Sequence, residues 1–225
     1  MFALNQTLLD DARTVFGRYP QLYWILGGSC AGKSTVAQAI AAHLGWNALD
    51  MDDLIYGTFM AHYSDARHPA SRAWFGAPNP LAWVMGLSWE EFNALTTAAD
   101  AEYLDLFARE LAQRDPETPL LVDGGLAHPA VLARVMPPAR MVCVAVDDAV
   151  RAHCWEHAPA RAEMRGWLAA LPHPAEMWAK FLRHDRLMAQ TMDAECTAAG
   201  ITRVERGEYE PIDATAARVM EALHL

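Results

Sequence analysis

Short apolar runs alternate along the chain with longer stretches of helical periodicity. Residues 5–17 carry Leu8, Leu9, Ala12, Val15 and Phe16 at helical spacing, and Gly17 and Pro20 end that pattern. Tyr23 to Leu26 follows as a first strand. Thr35 to Leu44 is helical, with Val36, Ala39, Ile40 and Leu44 on one face and Gly45 as its cap. Trp46 to Leu49, Leu120 to Val122, Met141 to Val146 and Ile201 to Glu205 supply four more strands. Helical stretches lie at 89–113, 149–171, 175–199 and 214–224. Ser88 with Glu91 marks a capping box at the head of the first. Pro172 and Pro174 separate the next two, and Gly200 stops the third. Strands alternating with helices predict an α/β domain: three layers, α/β/α, around five parallel strands with right-handed crossovers.

Residues 55–118 break this rhythm. They are rich in aromatics, among them Tyr56, Trp74, Trp83, Trp89 and Phe92, and are punctuated by Pro69, Pro78 and Pro80. That is too long for a simple crossover between strands two and three. It is expected to be a helical insertion that binds a substrate; the bland alternative is an aromatic packing layer with no ligand. The whole of 1–225 is expected to form one domain.

Composition narrows the function classes. A net charge of −10 argues against a general nucleic-acid binder, which carries a basic stripe. No apolar run reaches transmembrane length, and Met1 to Asp11 lacks the basic region of a signal peptide. Cys30, Cys143, Cys154 and Cys196 form no C-x-x-C pair, consistent with reduced thiols. The expectation is a cytoplasmic protein, monomeric or homodimeric, with no nucleic-acid or membrane partner.

The chemistry concentrates after the first strand. Gly27, Gly28, Ser29, Cys30, Ala31, Gly32, Lys33, Ser34 and Thr35 complete G-x-x-x-x-G-K-[ST], the phosphate-binding P-loop, in its proper place between strand and helix. Glycines let backbone N–H groups crowd a triphosphate, and the helix N-terminus aims its dipole at it. Lys33 is expected to reach the β- and γ-phosphates of ATP and Ser34 to place its hydroxyl on Mg²⁺. In an open parallel sheet, ligands sit beyond the C-terminal strand ends. Asp50, Asp52 and Asp53, Asp123, and Gly124-Gly125 all map there. If strand two runs on through Asp52, Asp50 and Asp52 point to opposite sides of it. Asp53 is a candidate helix cap. An N-K-x-D guanine motif is absent, since the two lysines are Lys33 and Lys180.

The P-loop, Asp50-x-Asp52 and Gly124-Gly125 together resemble the shikimate and gluconate kinase branch of the nucleoside-monophosphate-kinase-like P-loop kinases. The P-loop with Met51-Asp52-Asp53-Leu54-Ile55 is also similar to chloramphenicol phosphotransferase. The resemblance implies a P-loop NTPase fold and ATP- and Mg²⁺-dependent phosphorylation of a small-molecule hydroxyl. It implies Asp50, with Ser34 and Asp123, on the Mg²⁺ side, and Asp52 as the group that orients the acceptor hydroxyl. It also implies an Arg-bearing lid, expected at 149–174. Arg161 and Arg165, at i and i+4 on one helix face, are the catalytic candidates there; Arg151 is a third cation, and a solvated helix face is the alternative. Arg67 and Arg72, with Asp53, Gly124 and Gly125, are expected to bind an anionic or polyhydroxylated acceptor. The rival functions are a nucleoside or nucleotide kinase and a regulatory ATP-binding module with no acceptor.

Overall fold

In a computed structural model describing residues 2–225, the five apolar runs are the strands of one parallel sheet. They are β1 (Leu22–Leu26), β2 (Asn47–Asp50), β3 (Leu120–Asp123), β4 (Met141–Ala145) and β5 (Thr202–Glu205), hydrogen-bonded in the order β2-β3-β1-β4-β5. Alternation along β1 sorts its side chains between two cores. Ile25 joins Leu121, Val142, Val144 and Val204 beneath two helices, α2 (Lys33–Leu44) and α11 (Ile212–Leu223). Leu22, Trp24 and Leu26 face the opposite layer, which holds α1 (Gln6–Phe16) and α6 (Trp89–Leu111). Trp24 is stacked on Phe16 of α1 and meets Phe107 of α6 edge-on, with centroids 6.5 and 5.4 Å away. This is the three-layer architecture that the alternating pattern predicts.

Between β2 and β3 the chain is helical but not continuous. It forms α3 (Met51–Tyr56), α4 (Pro69–Phe75) and α5 (Pro80–Gly86) before α6. Pro69 and Pro80 each open a helix at its first turn, where a missing N–H costs nothing. The capping box of α6 is present, with both Ser88 and Glu91 bonded as expected. After β3 come α7 (Pro129–Leu132), α8 (Asp148–His157), α9 (Ala162–Ala169) and α10 (Pro174–Ala199). The stretch 149–171 is therefore not one helix. Pro159 forces Ala158 out of the helical region, to ψ 131°, and a single 3₁₀ turn, Pro159–Arg161, separates α8 from α9.

The middle of α6 is buried on all sides and carries three buried acids, Asp100, Glu102 and Asp105. Glu102 accepts the backbone N–H groups of Ala70 and Ser71 and the Ser71 hydroxyl, at 2.9, 2.7 and 2.6 Å. It thus satisfies the free donors at the head of α4. Asp105 accepts from Arg67 Nε and from Arg109, each at 2.9 Å. His68 Nδ1 accepts the Ser64 N–H, so its Nε2–H is left to donate to Asp105, at 2.9 Å. Arg67 also reaches Asp11, at 2.7 Å.

Burial pushes the Asp105 carboxyl up, but Arg67, His68 and Arg109 outweigh it and hold it well below the usual carboxylate range. Asp105→Ala leaves the buried His68 Nε2–H without an acceptor and Arg67 with Asp11 alone, and is expected to cost about 3 kcal/mol, read from urea unfolding. A carboxylate held low stabilises above its unfolded pKa, and that contribution is lost as pH falls towards its folded pKa. The gap between wild type and variant should therefore narrow below about pH 4.

Candidate active site

The loop after β1 is shaped by three residues of positive φ: Gly27 at 144°, Cys30 at 64° and Gly32 at 82°. A Cβ on Gly27 would lie 2.0 Å from the Val144 carbonyl oxygen, so glycine is what lets the loop lie against β4. Gly32 caps α2 without a side chain, which leaves the first-turn N–H groups of that helix free for an anion. Lys33 Nζ donates to the Gly28 carbonyl, at 3.1 Å, across the mouth of the loop. Burial draws its pKa down, opposed by Asp52 and Asp123.

Register places the acids. β2 and β3 pair Asp50 with Asp123, side by side at the sheet's C-terminal edge. Asp123 is buried, and its Oδ2 has no partner among the described residues. Burial raises this carboxyl to about 6, and the Ser34 hydroxyl beside it pulls the other way.

β2 stops at Asp50, which is itself the N-cap of α3: its Oδ1 accepts the Asp52 N–H at 2.8 Å. Asp53 is not the cap; it is exposed and does not line the cavity described below. Because the chain turns helical at Met51, Asp50 and Asp52 do not diverge across a strand. A Cβ on Gly124 would meet Asp52 Oδ2 at 3.2 Å and Asp50 Oδ1 at 3.4 Å, so the two carboxylates converge over Gly124. The enclosing protein and the Asp50 charge raise the Asp52 carboxyl, and Lys33 opposes them. Gly125 serves packing as well: a Cβ there would fall 2.3 Å from Met51 Cγ, which makes room for α3.

Beyond Lys33 and Asp52 opens a cavity of about 330 Å³. One wall is a stripe of α6 (Phe92, Thr96, Asp100, Tyr103) and another is α10, through Phe181, His184 and Met188. Asp100 Oδ2 accepts the N–H groups of Ala127 and His128, at 2.9 and 2.7 Å. Burial pushes this carboxyl up to about 7, with His128 and those N–H groups opposing. His128 in turn bridges Glu195, at 3.0 Å, and the Thr96 hydroxyl, at 2.9 Å. His184 is buried against Phe92, and its Nε2 has no partner among the described residues.

Arg67 and Arg72 are not brought to this cavity. Arg67 is held by Asp105 and Asp11, and Arg72 is exposed, 3.5 Å from Asp65. Asp100, His184 and Asp185 line it instead and escape a motif search. Their only trace in the sequence is an ionisable residue on a helical stripe of apolar ones.

Both lid arginines follow the break at Pro159: Arg161 is the residue before α9 and Arg165 lies within it. Arg161 ends the 3₁₀ turn, its guanidinium carbon 4.7 Å from the centre of the Trp155 ring. It pairs with no carboxylate among the described residues, and its charge is felt at Lys33 and Asp52. Arg165 Nη1 instead donates to the carbonyls of Trp155 and Ala158, at 2.8 and 3.1 Å, closing the C-terminus of α8. Arg151 is buried between Asp148 and Asp185, at 2.6 and 2.9 Å. Arg161→Ala should lower kcat about 10²-fold at an unchanged melting temperature. Arg165→Ala should lower the melting temperature by about 2–4 °C with a smaller kinetic effect. Paired thermal melts and initial rates check both.

A further cation sits over the loop. Arg206, just beyond β5, donates its backbone N–H to Ala145 O at 2.8 Å, and its Nη1 lies 2.8 Å from where a Gly32 Cβ would be. Among the described residues no group of three or more His, Cys, Asp or Glu is arranged to hold a metal unaided. No described helix is long and apolar enough to cross a membrane.

No family model matches the chain, and no curated protein matches it in sequence. Among solved structures it is similar to shikimate kinase from Aquifex aeolicus vf5, at 15% identity over 90% of this chain and 96% of that one, TM-score 0.46. It is similar to TT1252 from Thermus thermophilus, at 19% identity over 92% and 97%, TM-score 0.48. A gluconokinase from Sinorhizobium meliloti 1021 matches at 16% identity over 92% and 97%, TM-score 0.45.

Proposed function

We propose that this protein is a kinase that moves the γ-phosphoryl group of ATP, with Mg²⁺, to a hydroxyl of a small-molecule acceptor. The observation that carries this reading is that the cavity is continuous with the phosphate loop, with Gly27, Gly28, Ser29, Lys33 and Asp52 all lining it. Backbone N–H groups of the loop and Lys33 hold the phosphates. Asp123 and Ser34 would hold Mg²⁺: a buried carboxylate oxygen without a donor, beside a hydroxyl, suits a hard cation. Asp50, next in register, adds charge there. Bound there, Mg²⁺ would neutralise charge on the phosphates.

Asp52 orients the acceptor hydroxyl and takes its proton late, as a loose phosphoryl-transfer transition state requires. Arg161, free of carboxylate partners, stabilises charge on the transferring group. The apolar walls keep water from competing as acceptor. A regulatory ATP-binding module needs no such chamber. Coupled ADP release from MgATP, with and without a panel of small alcohols, tests the reading. An acceptor-dependent rise is expected; turnover indifferent to every acceptor would point to the regulatory alternative.

A further inference from the structure

The walls of the cavity say what kind of acceptor fits it. Lys33 is the one Arg or Lys among its lining residues, and it belongs to the phosphate end. An anionic acceptor therefore finds no arginine or second lysine in the walls. What it finds is aromatic and thioether surface, with Trp74, Phe92, Phe181 and Met188 among the walls. Set into that surface is Asp100, 1% exposed. Its Oδ2 is saturated by two backbone N–H groups, and its Oδ1 has no hydrogen-bond partner among the described residues. Asp185, a further acid of the lining, stands beside Ser29 of the phosphate loop and is already paired with Arg151. His184 Nε2 is a buried polar atom without a partner among the described residues, and burial, with Lys180 and Arg183, draws its pKa down, which favours the neutral ring.

A buried carboxylate with one bare oxygen is costly unless a donor or a cation meets it. Its cost is visible in the raised Asp100 carboxyl, and a bound ammonium would relieve it. The supports of Asp100 fix its direction. The Ala127 and His128 N–H groups clamp one oxygen, and the Glu195–His128–Thr96 chain holds that loop against α6. Phe92, Thr96, Asp100 and Tyr103 share one face of α6, so the carboxylate stands within the apolar stripe that forms the wall.

We propose that the acceptor is an apolar alcohol bearing a basic amine, its ammonium held by Asp100 and its hydroxyl presented to Asp52, which lines the same cavity. This rests on the kinase reading for the hydroxyl but not for the amine. The same geometry rejects carboxylate-bearing acceptors.

Three probes of one apolar body separate the cases: phenylethanolamine, its N-acetyl derivative and mandelate. Their binding is measured by calorimetry on the wild-type protein and on Asp100→Asn, and ADP release from MgATP is followed separately. Wild type should bind the amine about tenfold or more tighter than the neutral amide, and mandelate weakest. Asp100→Asn keeps an oxygen for the two N–H groups and should erase the preference. Equal binding of amine and amide, tightest binding of mandelate, no binding of any probe, or a preference that survives Asp100→Asn would each overturn the proposal. The wild-type ranking stands even if the variant fails to fold. An amine preference without ADP release from any probe leaves the Asp100 site in place and removes the kinase reading, so the two failures are distinguishable.

Discussion

Lys33→Ala is expected to lower kcat/KM by about 10³-fold or more while leaving the fold intact. Lys33 crosses the mouth of the phosphate loop and bonds only to the Gly28 carbonyl, so it fastens no other element. Removing it relieves a half-buried ammonium whose pKa burial already draws down, so the folded protein should be no less stable. The loss falls on catalysis. In the proposed kinase reaction Lys33 would supply a fixed positive charge where the phosphoryl oxygens gather charge, and one preorganised donor of this kind is worth about 10²–10³ in rate; the full charge of an ammonium puts Lys33 at or above that range. Far-UV circular dichroism and urea unfolding should match wild type while acceptor-dependent ADP release collapses. Unchanged turnover would remove the phosphate-loop assignment altogether.

Asp52→Asn is expected to lower kcat about 10²-fold or more, the usual size of a general-base contribution, with ATP affinity near normal. The substitution keeps the shape and much of the hydrogen bonding and removes only the proton acceptor. Asp50→Asn is the informative partner. Asp50 caps α3 through Oδ1, and asparagine caps a helix as well as aspartate does, so the helix should survive. What goes is a negative charge in register with Asp123. That variant should need more Mg²⁺ for half-maximal rate and recover when Mg²⁺ is raised. Rate against Mg²⁺ concentration for both variants decides the matter: rescue of Asp52→Asn but not of Asp50→Asn would exchange their roles.

The sheet, its order of strands and helices, and the phosphate loop were legible because each rests on local signals. Period-two apolar runs, glycines that need positive φ and a capping box act over a few residues. The acid cluster after β2 is plain in the sequence, but its geometry is not. Nothing in Leu49-Asp50-Met51-Asp52 says where the strand gives way to the helix, and one step of that boundary turns diverging carboxylates into converging ones. The spacing of Arg161 and Arg165 does not reveal that the first only caps α9, over the Trp155 ring, while the second turns back to the carbonyls that end α8. The charge of Arg67 and Arg72 suggests an acceptor, yet long-range pairing decides such residues, and Arg67 meets Asp105 across 38 positions of chain. Asp100, His184 and Arg206 take their meaning from elements far apart in sequence, which no motif spans.

On α6 the residues that face the cavity, Phe92, Thr96, Asp100 and Tyr103, fall within about a quarter of the helix circumference, at 100° per residue. Glu102 and Asp105, which anchor α4 and the loop before it, lie on the far side. Within the first stripe two kinds of residue are mixed: Thr96 and Asp100 tie down the 127–128 loop, while Phe92 and Tyr103 contribute surface to the cavity. The shape of the cavity can therefore change at Phe92 without touching the polar contacts that hold either α4 or that loop in place.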